Sequence, residues 1–229
     1  PGDLKEVIRG IKGDVSVLIV ANPRTATIGA IAALENGVKK VITTCKELDI
    51  LGEVVSRIEV VDGIEKIDNC NCRMVEGERY DTISEEILRK TKTIIIFGSK
   101  SVKALEKSDE YVDKTFFIIP EKDLEDMPIK INDLIGLTRK LSTGKRNVCL
   151  ISNRALIATD GSKLKVSFRT PKLDSVTNSA IYSGVLAGLS RADVSAIELF
   201  GACSFLIREA SILASDSKSP LSVIEAIKS

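Results

Sequence analysis

Histidine and tryptophan are absent from the 229 residues, and the aromatics amount to three tyrosines and six phenylalanines. Without imidazole there is no Ser-His-Asp triad, no His-ligated zinc and no facial-triad iron. Acid–base work falls to carboxylate, Lys, Cys, Tyr or bound water. An excess of one charge is also missing. Lys plus Arg number 33 against 32 Asp plus Glu, a formal charge of +1, which excludes the global field of a general nucleic-acid binder. No apolar run reaches the roughly 20 residues that span a bilayer, and no signal-peptide pattern is visible. These absences predict a cytoplasmic protein with neither nucleic acid nor membrane as partner.

Cysteine is sparse and odd in number: Cys45, Cys70, Cys72, Cys149 and Cys203. A chain of this length hides roughly 70% of its extended surface on folding and needs no disulfide or metal staple. Cys70-Asn71-Cys72 lacks the two-residue gap of redox and zinc motifs, so it reads as a pair of ordinary thiols.

What is present is a 44% hydrophobic share arranged in short, β-rich runs. Val15 to Ala21 is nearly continuous in apolar residues, the mark of a parallel strand covered on both faces. A short helical face over Asp3 to Lys12 precedes it. An Ala- and Ile-rich helix, Thr25 to Glu35, follows and stops at Asn36-Gly37, after which Val38 to Thr43 resumes as strand. The pattern recurs at Thr93 to Phe97 with a helix over Val102 to Lys107. It recurs again at Thr115 to Ile119, then with a helix near Ile131 to Leu141 and a strand over Asn147 to Ser152.

Between these passes, Ile58 to Val61 is a candidate strand, and Asp62 to Met74 reads as polar and irregular. Asp174 to Leu189 has helical spacing. Ser190-Arg191-Ala192-Asp193 has the spacing of a capping box that would open a long helix toward Ala214, and Pro220 pre-sets a last helix to Ile227. The prediction is an α/β fold with a mostly parallel central sheet and helices on both faces. Residues 1–229 are expected to form a single domain, with room for two lobes.

Three segments carry candidate chemistry. Asn22-Pro23-Arg24-Thr25-Ala26-Thr27 lies at the carboxyl end of a strand, where open α/β sheets place ligands. Arg24 can form two hydrogen bonds to an oxyanion, with Thr25, Thr27 and the first-turn amides as further donors. The plainer alternative is a capped helix with a surface arginine. In Glu76-Gly77-Glu78-Arg79-Tyr80-Asp81, Glu76, Glu78 and Asp81 are hard oxygen donors suited to Mg²⁺, and Arg79 is another oxyanion contact. An acidic solvated turn is the alternative. Gly98-Ser99-Lys100-Ser101 is either a phosphate cradle, with Ser99 and Lys100 as donors, or a plain connection. No GxxxxGK[ST] loop occurs.

Pro23 to Thr27, followed by Ala32-Ala33-Leu34-Glu35-Asn36-Gly37-Val38-Lys39-Lys40-Val41-Ile42, resembles the opening motif of the 2-phosphosulfolactate phosphatase family. Gly77-Glu78-Arg79 is similar to its Gly-Glu-Arg motif. Ile94 to Leu105 and Asp174 to Leu189 resemble later segments, in family order. The resemblance implies a Mg²⁺-dependent phosphatase acting on a small acidic phosphoester, in the pathway toward coenzyme M. Arg24 and Arg79 would hold the anion, and Glu78, with Asp81, would act in catalysis. The chain departs from the family at Ala21, where the family has an acid, and after Arg79, where its longer segment shrinks to little more than Tyr80-Asp81. The alternative is a relative that has lost catalysis and binds an anionic metabolite or its own copies.

Overall fold

The computed structural model describes residues 2–48, 57–63, 70–107, 109–125, 133–168 and 170–213. Among the described residues nine strands form one sheet: β1 (Ser16–Val20), β2 (Lys40–Thr43), β3 (Ile58–Val60), β4 (Cys72–Glu76), β5 (Thr93–Phe97), β6 (Thr115–Pro120), β7 (Asn147–Ile151), β8 (Leu156–Thr159) and β9 (Leu164–Ser167). Their order is β3-β2-β1-β4-β5-β6-β7-β8-β9. The first seven strands in that order run parallel, and β8 and β9 complete the sheet antiparallel. The helices are α1 (Gly2–Arg9), α2 (Pro23–Glu35), α3 (Glu85–Lys90), α4 (Ser101–Ala104), α5 (Leu134–Leu141), α6 (Ser175–Leu189) and α7 (Ala196–Leu213).

Strand geometry explains why the apolar runs are continuous. Successive side chains point to opposite faces, so a sheet covered twice needs apolar residues at every position. Val17, Ile19, Met74, Ile95, Phe97 and Ile118 pack into one core with α1, α2, α6 and α7. Their neighbours Leu18, Val20, Val75, Ile94, Ile96 and Phe117 pack into a second core with Leu88, Ala104, Leu137 and Leu141, from α3, α4 and α5. Each such side chain contributes about 1.5–3 kcal/mol when fully buried. The expected architecture, helices on both faces of a largely parallel sheet, is what forms.

In the first layer α2 lies against α6 at very short range. A Cβ on Gly184 would sit 2.6 Å from the Gly29 carbonyl oxygen and 2.6 Å from Ala32 Cβ, so only glycine permits this approach. Tyr182, fully buried in α6, donates to the Phe200 carbonyl at 3.1 Å and shares a 2.9 Å hydrogen bond with Ser204, fastening α6 to α7.

Several expectations need correction. The long C-terminal helix opens at Ala196, not Ser190. Ser190 instead closes α6, its hydroxyl donating to the Ala187 carbonyl. The helix that does open is preceded by Ser195, whose Oγ accepts from Glu198 N, so the better capping box lies five residues later. Cys72–Glu76, read as the end of an irregular stretch, is a central strand. Its Arg73 is nearly buried, with Nε donating to Thr91 Oγ1 at 2.7 Å. The sheet also gains an antiparallel β8–β9 hairpin, turned at Asp160-Gly161 between two apolar runs, a strong hairpin signal. The Pro220 to Ile227 helix lies outside the described residues, as do Ile131 and Asn132 of the helix expected before β7. All five cysteines are free thiols.

Candidate functional site

The chain leaves β1 toward β2 on one side and later returns to place β4 on the other. The carboxyl ends of β1 and β4 therefore flank the switch point where open α/β sheets bind ligands. Both strands end in polar residues, Asn22 just beyond β1 and Glu76 at the end of β4. Asn22 serves α2 as N-cap, its Oδ1 accepting from Thr25 N, while its Nδ2 donates to Glu76 Oε2 at 2.6 Å. Thr25 Oγ1 reaches the same carboxylate oxygen at 3.2 Å. Glu76 is completely buried, and Arg79 Nε faces its Oε1 at 3.4 Å. Burial pushes the Glu76 carboxyl upward, opposed by Arg79 and by the bonds from Thr25 and Asn22. Burial is the larger influence, and the net shift is upward.

The loop after Glu76 continues as a 3-10 helix, Gly77–Thr82. It lies so close to the β5–α4 connection that a Cβ on Gly77 would fall 2.3 Å from Ser101 N. Glu78 N donates to the Ser99 carbonyl at 2.8 Å. These contacts fix the two connections as one rigid rim.

A cleft of about 570 Å³ opens beside this rim. Asn22, Arg24 and Thr25 line it from the start of α2, and Ser99 and Lys100 line it from the β5–α4 connection. Pro120, Lys122 and Asp123 follow β6, and Asp174, Val176 and Thr177 open α6. Three cations from three separate connections thus meet one concavity. Arg24 and Lys100 already have anionic neighbours. Arg24 Nη2 lies 3.1 Å from both Asp174 Oδ2 and Thr177 Oγ1, and Lys100 Nζ lies 3.4 Å from Glu78 Oε1. Such exposed pairs are worth only about 0–1 kcal/mol, so a stronger anion can displace them. Burial would raise the Asp174 carboxyl, but hydrogen bonds from Thr177 and the charge of Arg24 outweigh it and hold Asp174 below its ordinary value.

The remaining sequence candidates divide by position. Thr27 Oγ1 donates to the Pro23 carbonyl at 2.6 Å, inside its own helix, and is not among the residues lining the cleft. The amides expected to cradle phosphate at Gly98 to Ser101 are partly engaged. Asp123 accepts from Lys100 N at 2.7 Å and Val102 N at 2.9 Å, with Ser101 Oγ at 3.3 Å. An internal carboxylate occupies the place assigned to a phosphate, because a side chain from the following strand end reaches it first. Asp123 carries no motif and Asp174 only opens a segment of helical spacing, so the fold is what brings them beside Arg24 and Lys100.

The three carboxylates suited to Mg²⁺ do not form a cation cage. Glu76 serves Asn22 and Thr25, Glu78 pairs with Lys100, and Asp81 pairs with Lys107 at 2.6 Å. Among the described residues no group of three or more Asp, Glu, Cys or His side chains is placed to hold a metal. Arg79 lines a separate cleft on the other side of the β1–α2 connection.

No protein-family model and no curated protein matches the chain. Solved structures share its fold at low identity. The hypothetical protein SMU.573 of Streptococcus mutans superposes with a TM-score of 0.73 at 14% identity, over 99% of this chain and 98% of its own. An ADP/ATP-dependent NAD(P)H-hydrate dehydratase of Bacillus subtilis, crystallised with ATP and Mg²⁺, gives 0.66 at 11% identity, over 97% and 94%. A hydroxyethylthiazole kinase of Pyrococcus horikoshii gives 0.55 at 8%, over 99% and 92%.

Proposed function

We propose that the chain binds a small phosphorylated acid in the cleft of Arg24, Lys100 and Lys122, and that hydrolysis of the phosphoester is its reaction. The convergence of three cations from three connections on the switch point carries this reading. A phosphate dianion compensates several positive charges at once and forms stronger, charge-assisted bonds than the surface carboxylates it would replace. Arg24 supplies the planar fork, and Lys100 and Lys122 supply point charges. Glu76 holds Asn22 and Thr25 in place from beneath and is a positioning residue. Asp174 lines this cleft and is the carboxylate that would orient a water there, while Glu78 reaches it only through its pair with Lys100. Asp81, paired with Lys107, is not among its lining residues. The resemblance of the β1–α2 connection to the 2-phosphosulfolactate phosphatases makes phosphorylated sulfonic and carboxylic acids the first esters to try. The fold's occurrence in a protein crystallised with ATP and Mg²⁺ puts ATP in the same panel.

A second reading, a binding protein without catalysis, is favoured by two observations. Ala21 stands where the resembling family has an acid, and the hydroxyls of Thr25 and Thr27 are spent on internal bonds. Phosphate release from the panel, with Mg²⁺ and with EDTA, separates the two. Turnover that falls in Arg24→Ala supports hydrolysis. Saturable binding without release selects the binding protein. No saturable binding of any phosphate compound removes both.

A further inference from the structure

We infer that the cleft beneath Arg79 is a second ligand site, for a monocarboxylate with a short aliphatic body, separate from the phosphate cleft. It encloses about 510 Å³, within the usual size of small-molecule sites, and no residue lining it also lines the cleft of Arg24. Its apolar wall comes from Val20 and Ala21 at the end of β1, Pro23 at the start of α2 and Ile87 in α3. Thr44, Thr82 and Ser84 supply hydroxyls at its margins.

The charge pattern selects the ligand. Among the described lining residues Arg79 is the one cation and Asp62 the one carboxylate. Asp62 is paired with Lys46 at 3.0 Å and stays largely exposed. With a single guanidinium lining it, the cleft suits one negative charge at the arginine and disfavours a dianion. The planar fork matches a carboxylate, and the apolar wall suits an aliphatic chain behind it.

A second observation bears on how Arg79 is held. Glu76 Oε1 and Arg79 Nε are both inaccessible to solvent, and neither makes a hydrogen bond although they are only 3.4 Å apart. The fully buried Glu76 carboxylate opposes Arg79 as an ion pair without a formed hydrogen bond, so the guanidinium is not locked in one orientation. Arg79 is 41% exposed, and because its Nε is inaccessible the exposed part lies elsewhere on the side chain. A carboxylate on the outer nitrogens would draw the guanidinium into one fixed plane, with Nε left directed at Glu76. The inference stands whether or not the neighbouring cleft binds phosphate.

Cys45 lines this cleft and is half-exposed, which gives a direct readout of occupancy. Hexanoate is the probe, with hexylammonium and inorganic phosphate as controls. The rate of Cys45 alkylation by iodoacetamide is followed by mass, and the methyl resonances of Ile87 and Val20 are followed by NMR. Hexanoate is expected to slow alkylation at least about fivefold at saturation and to shift both methyls, while neither control does. Arg79→Ala should weaken hexanoate at least about tenfold, Arg79→Lys should recover part of it, and Arg24→Ala should leave it unchanged. Thermal unfolding of each variant confirms that it is folded. Equal protection by hexanoate in Arg79→Ala overturns the assignment of the carboxylate. Absence of both protection and shifts in the wild type overturns the site. Phosphate binding that depends on Arg24 survives either result, so failure here is distinct from failure of the proposed function.

Discussion

Asn22 Nδ2 donates to Glu76 Oε2 at 2.6 Å, joining the carboxyl ends of two strands that lie 54 residues apart in the chain. Because the Glu76 carboxyl is raised above its ordinary 4.5, the native state holds that proton more tightly than the unfolded chain does. Between 4.5 and the folded value, the native state therefore binds more protons than the unfolded state. Stability falls as pH rises through that window. Glu76→Gln keeps an acceptor for Asn22 and Thr25 but removes the titration, so its stability by urea unfolding should be flatter than the wild type's as pH rises above 4.5. Glu76→Ala strands both donors and should cost about 2–3 kcal/mol. A Glu76→Gln profile with the wild-type slope would overturn the assignment.

Arg24 and Asp174 form an exposed pair at 3.1 Å, so the two partners separate by mutation. Arg24→Ala should change stability by no more than about 0.5 kcal/mol. Phosphate binding should weaken by roughly 1.5–3 kcal/mol. Asp174→Asn keeps an N-cap for α6, releases Arg24 and should tighten phosphate. Since Asp174 lies below its ordinary 3.8, its stabilising contribution is present above that value and lost as pH falls through the folded one. Calorimetric titration of both variants with inorganic phosphate decides the matter, and wild-type affinity in Arg24→Ala would refute the role.

Asp123 imitates an anion at the β5–α4 connection. Asp123→Ala frees the Lys100 and Val102 amides and should destabilise by about 1–2 kcal/mol, as loss of a helix cap does. It also removes a negative charge from the cleft, so phosphate affinity should rise by about fivefold, on the order of 1 kcal/mol. Weaker phosphate binding in a variant that is still folded would show that Asp123 serves the ligand rather than replacing it.

Thiol reactivity should follow burial. Burial pushes the Cys70 thiol up to about 11 and Cys149 up to about 12, and raises Cys72 and Cys203 as well. Cys70 Sγ also donates to the Ser16 carbonyl at 3.1 Å. A disulfide reagent at about pH 8 should titrate Cys45 in the native protein and the other four only after unfolding. Rapid native reaction at Cys70 or Cys72 would contradict the packing.

The parts of the fold legible in the sequence were those whose residues obey a single demand. Val17 to Val20 and Ile94 to Ile96 are covered on both faces, so every position is apolar and the strands announce themselves. Cys72–Glu76 is equally buried, yet Arg73 and Glu76 interrupt its pattern because each is satisfied by residues distant in the chain, Thr91 for one and Asn22 for the other. The same cause limits the site. Arg24 could be placed at a strand end from local order alone, whereas Asp174, 150 positions away, becomes its neighbour only through the packing of α6 on α2. Thr27 has the residue type of a donor to a ligand, but its position within the first turns lets its hydroxyl reach the Pro23 carbonyl instead.

The close approach of α2 to α6 also sets a timetable for the nascent chain. About 140 residues separate the end of α2 from the start of α6, so at cellular elongation rates the interval is on the order of ten seconds. Throughout it the Ala- and Ile-rich side of α2 lacks its partner, and Gly29 and Ala32 face no Gly184. The N-terminal third can pair its strands early but cannot close its first core layer until the last third emerges from the ribosome. A chain halted before Ser175 exposes that face for as long as it persists, which makes it a substrate for chaperones and proteases rather than a smaller folded protein.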